Sequence, residues 1–354
     1  MLLLFALSAS AQVRVGVFLP FKSGGAVGQN AVEYYRGLLM AADSLSQGNQ
    51  KFVITAAHSG RTAAEMQSLL NEAGNGVFDI IFAPSNQEQL KVVNDYSLRN
   101  GTKVAVPMGG AYDDFISNRS FYALRVTQTD FTPSAYRLLT TALKGKTLYV
   151  VSTNGGTQIC PFANYVSKYV KGVKTLEWPK QEKKIVQLLA DEEAVIIPSM
   201  YDEQTRATLV SLAAKAGSVK AAVVGYPAWY DNAVSDAVRR ELCSLNAYVI
   251  QQHFPRTSLP RVKKFAELYK QNFDVDLSND YFCLSMWGFD TGYYLLKAIV
   301  NYKADFYDQQ VYAAPLQSAF RFSPRTTRSG LINTAVVMVH YKTDGTQELI
   351  ELNE

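Results

Sequence analysis

The chain has 354 residues, 48% hydrophobic and 19% charged, with a net charge of +4. That is ordinary globular composition, and the length suits two domains better than one. The densest basic patch, Lys171, Lys174, Lys180, Lys183 and Lys184, reads as a solvated face, so nothing points to a nucleic-acid surface.

The first eleven residues read as export. Leu2 to Leu7 is apolar, and Ala9-Ser10-Ala11 before Gln12 is an A-x-A cleavage site. Residues 1–11 are therefore expected to be a signal-peptide remnant, lacking a basic n-region, with the mature chain starting at Gln12 outside the cytoplasm. No cysteine follows the cleavage site, so no lipid anchor is expected, and no later stretch is apolar enough to span a bilayer.

From Gln12 the chain alternates. Val13–Leu19 is a predicted strand, followed by a Gly-rich loop from Pro20 to Asn30 and a helix over Val32–Leu45 with Tyr35, Leu38, Leu39 and Ala42 inward. Phe52–Ala56 is a strand and Thr62–Ala73 a helix closed by Gly74. Asp79–Ala83 is a short β-branched and aromatic run stopped by Pro84, as expected of a strand buried on both faces. Asn86 is placed to cap the next helix, with Gln89 at the capping-box position and Leu90, Val93 and Leu98 as its inner face. Asn100-Gly101 ends that helix, and Lys103–Val106 is another buried strand, stopped by Pro107. Right-handed crossover makes these strands parallel, so the loops Pro84–Asn86 and Pro107–Gly110 share the carboxyl edge of one sheet, where open α/β sheets bind ligands. Phe121–Val126 completes a first doubly wound half.

The rhythm then restarts. Helices are predicted over Pro133–Leu143, Thr157–Val170, Glu182–Leu189 and Asp202–Ala216, and strands over Thr147–Ser152, Lys174–Trp178, Ala194–Ile197, Ala221–Val224 and Tyr248–Ile250. Beyond them lie helices over Leu259–Phe273 and Tyr281–Tyr302, the second strongly aromatic. A closing hairpin, Thr334–Tyr341 with Gln347–Leu352, turns at Thr343-Asp344-Gly345.

Cofactor chemistry finds little support. There is no Walker A loop, GxGxxG or HExxH, and His58, His253 and His340 stand isolated, so neither metal nor cofactor is expected. Cys160, Cys243 and Cys283 permit at most one bridge; Cys243 and Cys283 sit among apolar neighbours and read as buried thiols. Ser85 follows a strand as a nucleophile would, but the glycines of GxSxG are missing, so a hydrolase is disfavoured and no enzyme is expected.

Four stretches carry a resemblance: VGVFLPF with VEYYRGLLMAADSL, the run from Asp79 to Met108, DYFCLSMWGFDTGYYLLKAIV, and the run from Phe320 to Leu352. Together they resemble the type I periplasmic-binding fold, in the leucine/isoleucine/valine-type solute receptor family. The resemblance implies an α/β chain of two doubly wound parallel-sheet lobes joined by three crossovers. It divides the chain into residues 12–126 plus 251–324 and 127–250 plus 325–354. It also implies a periplasmic receptor, monomeric, that traps a small polar ligand between the lobes for an ABC permease or for sensing. The alternative is an envelope regulator of peptidoglycan synthesis on the same fold, with a cell-wall enzyme as partner. The implied ligand-binding positions are Lys22, Ser23, Ser85, Asn86, Gly109, Gly110, Ala111 and Tyr112 from the first lobe. The second lobe would supply Thr153, Asn154, Met200, Tyr201, Tyr226 and Trp229. Helix-start amides near Ser85 suit a carboxylate, and Tyr112, Tyr201, Tyr226 and Trp229 suit an apolar wall. Family amino-acid receptors hold the α-amine with an acid from the second lobe. Here the nearest candidates, Asp202 and Asp231, also read as helix N-caps, and Trp229 has a competing reading as packing beside Pro227.

Overall fold

A computed structural model describes residues 12–46, 50–72, 76–109, 115, 117–125, 127–153, 160–229, 235–303, 307, 309–326 and 329–351. The chain divides into two units, Met1–Val126 with Arg256–Asn279 and Cys283–Asn333, and Thr127–Pro255 with Asp280–Phe282 and Thr334–Glu354. Among the described residues each unit carries one mostly parallel seven-stranded sheet flanked by helices.

In the first unit β1 (Gln12–Leu19), β2 (Lys51–His58), β3 (Ile80–Phe82), β4 (Lys103–Val106) and β5 (Phe121–Ala123) alternate with α1 (Ala26–Leu45), α2 (Ala63–Glu72) and α3 (Gln87–Asn100). The sheet order is β11-β12-β5-β4-β3-β1-β2, with β11 (Phe322–Pro324) antiparallel to β12 (Leu331–Asn333) at one edge. β12 runs parallel to β5, and that pairing attaches residues 331–333 to the first sheet. The division implied by the resemblance places them with the second lobe instead. Val15, Val17, Ile80, Ile81, Phe82, Val104, Ala105 and Val106 are fully buried, as strands covered on both faces require.

The second unit repeats the plan. Its strands are β6 (Thr147–Thr153), β7 (Lys174–Trp178), β8 (Ala194–Pro198), β9 (Ala222–Gly225), β10 (Ala247–Gln251), β13 (Val337–Tyr341) and β14 (Gln347–Ile350), in the order β14-β13-β10-β9-β8-β6-β7. Around them lie α4 (Gln128–Ala142), α5 (Pro161–Tyr169), α6 (Glu182–Leu189), α7 (Glu203–Ala216) and α8 (Asp236–Ser244). The predicted closing hairpin is present, β13 and β14 pairing antiparallel with Met338 opposite Ile350.

Local chemistry explains where elements differ from expectation. α1 begins at Ala26, inside the predicted loop, and includes Gly28, where a Cβ would lie 2.1 Å from Ser23 O. The buried aromatic of that helix is Tyr34, with Tyr35 and Leu39 only half-buried. α4 starts at Gln128, where Thr127 and Asp130 form a reciprocal capping box, so Pro133 lies inside the helix instead of opening it. On α3 Leu90 and Val93 are buried, but Ser97 takes the next inward position and Leu98 is 62% exposed. Ser97 Oγ donates to Thr102 O at 2.6 Å, closing the turn into β4. α8, β11 and β12 were not foreseen; all are short.

α10 (Leu284–Tyr302) and α9 (Pro260–Phe273) complete the first unit. α10 crosses α1 closely enough that a Cβ on Gly37 would lie 1.9 Å from Ser285 O, and one on Gly288 1.9 Å from Tyr34 O. Glycine is therefore required at this crossing on steric grounds. Buried hydrogen bonds pin the approach: Thr291 Oγ1 donates to Trp287 O at 2.8 Å, which leaves the Tyr34 hydroxyl, 2.7 Å away, to donate to Thr291. Glu33 of α1 accepts from Ser285 Oγ at 2.6 Å and from the Tyr269 hydroxyl of α9, and its other oxygen pairs with Arg36 at 2.7 Å. Asp290 of α10 is buried and accepts from the amides of Leu316, Gln317 and Ser318 at 2.7–2.9 Å.

Candidate functional site

In the first sheet β1 is flanked by β2 on one side and β3 on the other, so the strand order reverses beside it. In open α/β sheets such a reversal opens a crevice at the carboxyl ends of the strands, between the following loops. Lys22, Ser23, Ser85, Asn86 and Gly109 all follow strands at this edge, after β1, β3 and β4. Gly110, Ala111 and Tyr112 lie outside the described residues.

The loops at this edge are tied to one another by hydrogen bonds. Ser59 N donates to Leu19 O at 2.9 Å, and Lys22 N donates to His58 Nδ1 at 3.3 Å. With Nδ1 accepting, the ring proton sits on Nε2, so His58 presents a donor from its far side. Asn86 caps α3 as expected, its Oδ1 accepting from Gln89 N at 3.1 Å. The Gln89 side chain does not complete a capping box. It is buried and donates to Ser59 O at 2.6 Å, binding the start of α3 to the loop after β2. Trp287 Nε1 donates to Pro107 O at 2.9 Å and fixes the loop after β4 against α10. On this frame Lys22, Ser85 and Asn86 are exposed, while Ser23 and Gly109 are half-buried. Lys22 and the first amides of α3 are donors and the two serine hydroxyls can donate as well, an arrangement suited to an anionic group.

In the second sheet β6 plays the part of β1, flanked by β7 and β8. Asn154 lies outside the described residues, and Thr153 ends β6. After β8, Ser199 N donates to Val151 O at 2.9 Å and Cys160 N donates to Ser199 O at 2.7 Å, which sets Met200 and Tyr201 beyond the sheet edge. Met200 is buried and Tyr201 half-buried. Asp202 caps α7, accepting from Thr205 N at 2.8 Å, which is the N-cap role expected of it; Asp231 lies outside the described residues.

Tyr226 and Trp229 are core residues of the second unit. The Tyr226 hydroxyl donates to Pro198 O at 2.9 Å, and burial pushes its pKa well above the ordinary range. Trp229 is 0% exposed, packs edge-on to Tyr226 with centroids 6.0 Å apart, and covers Gly225 so closely that a Cβ there would sit 3.2 Å from its ring. Of the two readings of Trp229, packing beside Pro227 is the one this geometry supports. Cys160, next to Tyr226, is likewise buried, and desolvation raises its thiol pKa. Sequence reasoning missed Gln89 and Trp287 as the residues that fix these loops; Gln89 stood at the capping-box position, and nothing in the pattern tells a capping glutamine from one that reaches sideways.

No protein-family model matches the sequence, and no curated protein does. Solved structures do. A chain assigned to a branched-chain amino acid ABC transporter of Rhodospirillum rubrum superposes with a TM-score of 0.67 at 15% identity, over 96% of this chain and 100% of that one. The chain has the type I periplasmic-binding fold. Two further chains with this fold are ABC transporter substrate-binding proteins, one from Desulfitobacterium hafniense (TM-score 0.52, 14% identity, 96% of this chain and 100% of that one). The other is from Sphaerobacter thermophilus (TM-score 0.52, 14% identity, 97% of each chain). Among the described residues no helix is long and apolar enough to cross a membrane.

Proposed function

We propose that this chain is an extracytoplasmic solute-binding receptor. It traps a small polar ligand between its two lobes by hinge closure, without chemistry, and delivers it to an ABC permease or a sensor. The observation that carries the reading is the carboxyl edge at the β1 switch point, where Lys22, Ser23, Ser85 and the start of α3 supply donors, the Lys22 amide being held by His58 and the start of α3 by Gln89. The fold shared with substrate-binding proteins supports it. The ligand on this reading carries an anionic group held at that edge. On this reading Tyr201, half-buried beyond β8 in the second unit, is a further candidate contact.

Mass spectrometry of small molecules released from the denatured, purified protein tests the reading. A stoichiometric anionic metabolite is the expected result; a chain that releases none and binds none from a panel of carboxylates overturns it. With the ligand in hand, Ser85→Ala is expected to weaken binding by about 0.5–1.5 kcal/mol, the net worth of one hydrogen bond, as read by titration calorimetry.

A further inference from the structure

Among the described residues four strands stand at sheet edges, β2 and β11 in the first unit, β7 and β14 in the second. An edge strand turns a row of unpaired N–H and C=O groups outward, and soluble proteins guard such rows with charge, proline, brevity or bulges. Three of these edges are guarded. β11 has 3 residues and ends at Pro324. β14 has 4, with Glu348 exposed among them and Glu351 exposed just beyond. β7 carries Lys174 and Glu177 and stops before Pro179.

β2 has none of these protections. It runs 8 residues, and between Lys51 and His58 it reads FVITAA, without charge, proline or glycine. Its register against β1 is unbroken from Gln12 opposite Lys51 to Leu19 opposite His58, so no bulge bends the edge away. Among the described residues β1 is the one strand that pairs with it.

The hydrogen bonds identify the groups that face out. Ser59 N donates to Leu19 O at 2.9 Å, which extends the β1–β2 ladder by one residue. In a parallel ladder alternate residues of a strand bond the same neighbour, so Val53, Thr55 and Ala57 are the ones that bond β1. Phe52, Ile54 and Ala56 therefore turn both N–H and C=O away from the sheet. The side chains of Phe52 and Ile54 are only half-buried, and Ala56 is exposed.

This row is complementary to itself. In an antiparallel pairing about a two-fold axis at Ile54, Ile54 meets the partner's Ile54 and Phe52 meets the partner's Ala56, a large side chain against a small one. Lys51 then falls opposite the partner's Ala57, so no two lysines are set face to face. Between Lys51 and His58 the row offers no charge by which to select a foreign strand, whereas an isologous pairing satisfies both edges at once and closes.

We propose that β2 is a homodimer interface, through which two copies of this chain join their first sheets into one continuous sheet, in place of the monomer that the resemblance implies.

Sedimentation velocity on the full chain, from about 1 to 100 µM, tests this. A concentration-dependent dimer with no larger species is expected, and amide exchange in the peptide spanning β2 is expected to slow as it forms. Ile54→Lys and Ile54→Glu each set like charges face to face at the axis, and each is expected to weaken the dimer by about tenfold or more. Mixing the two variants sets opposite charges there, and the dimer is expected to return. Ala56→Pro serves if the Ile54 variants fail to fold: the position is exposed and its N–H is not spent on β1, so the change removes bonds between copies and none within the sheet. It too is expected to weaken the dimer. A chain that stays monomeric throughout overturns the proposal, as does a dimer that survives both Ile54→Lys and Ala56→Pro, or folded Ile54 variants that fail to associate when mixed. Protection of the Phe52, Ile54 and Ala56 amides in a monomer also overturns it, since another segment of the chain would then cover the edge.

Discussion

Asp290 shows how a single buried carboxylate serves a fold. Three backbone amides and the charge of Arg256 favour its ionised form, yet burial outweighs them and pushes its pKa up to about 6. An unfolded aspartate titrates near pH 3.9, so between roughly pH 4 and 6 the folded chain holds a proton that the unfolded chain has released. This group therefore contributes stability that is fully present below about pH 4 and is lost as pH rises through about 6. Asp290→Asn removes that titration and turns an amide N–H₂ toward the donors of residues 316–318. Urea titrations are expected to show a loss of about 1–3 kcal/mol at pH 7.5 and a larger gap at pH 5. A gap that is the same at both pH values would show that Asp290 does not titrate in this window. Trp229 gives the second expectation at this scale. Being fully buried on Tyr226 and Gly225, its truncation to alanine should cost about 3–5 kcal/mol and lower the melting temperature by roughly ten degrees. A Trp229→Ala protein that melts normally but loses ligand would restore Trp229 to the binding wall.

At the scale of elements, the α1–α10 crossing depends on having no side chain at two points. Gly288→Ala is expected to destabilise the chain by at least about 1–3 kcal/mol, because its methyl would meet the Tyr34 carbonyl and must push the two helices apart. Gly24→Ala, where no atom lies within 4 Å of the added carbon, should be close to neutral; equal thermal melts for the two variants would contradict the crossing. These glycines also show what the sequence made legible. Strands β1, β3 and β4 were readable because parallel strands covered on both faces become continuous apolar runs bounded by Pro and Gly, and Asn86, Gly101 and Asp202 announced helix ends through their capping chemistry. Gly28, Gly37 and Gly288 were opaque, since a glycine chosen for close approach looks like one chosen for a loop. The same holds at the site: periodicity placed Ser85 and Asn86 at a strand's carboxyl end, but whether Tyr226 and Trp229 face a ligand or the core depends on tertiary packing, to which residue type is blind. β11 and β12 escaped for a related reason, being three residues each, too short for a period.

At the scale of the whole molecule, the two units make the proposed function measurable without knowing how the ligand sits. Each unit has its own sheet, its own core and its own switch point. A solute that binds only the native state stabilises whatever it touches by about 2.7 kcal/mol at one hundred times its Kd. For a unit of 150–250 residues each kcal/mol raises the melting temperature by roughly 2–4 °C, so the expected shift is about 5–10 °C. If the ligand engages Lys22 and Ser85 in one unit and Tyr201 in the other, protection against proteolysis and hydrogen exchange should rise in both β1–β4 and β6–β9 at the same ligand concentration. A ligand confined to the first unit would protect β1–β4 and leave β6–β9 exchanging as before. Hydrogen-exchange mass spectrometry resolves the two cases peptide by peptide. Protection of one sheet alone would mean that the donor-rich edge at β1 binds its solute without the partner surface that a trapping receptor requires.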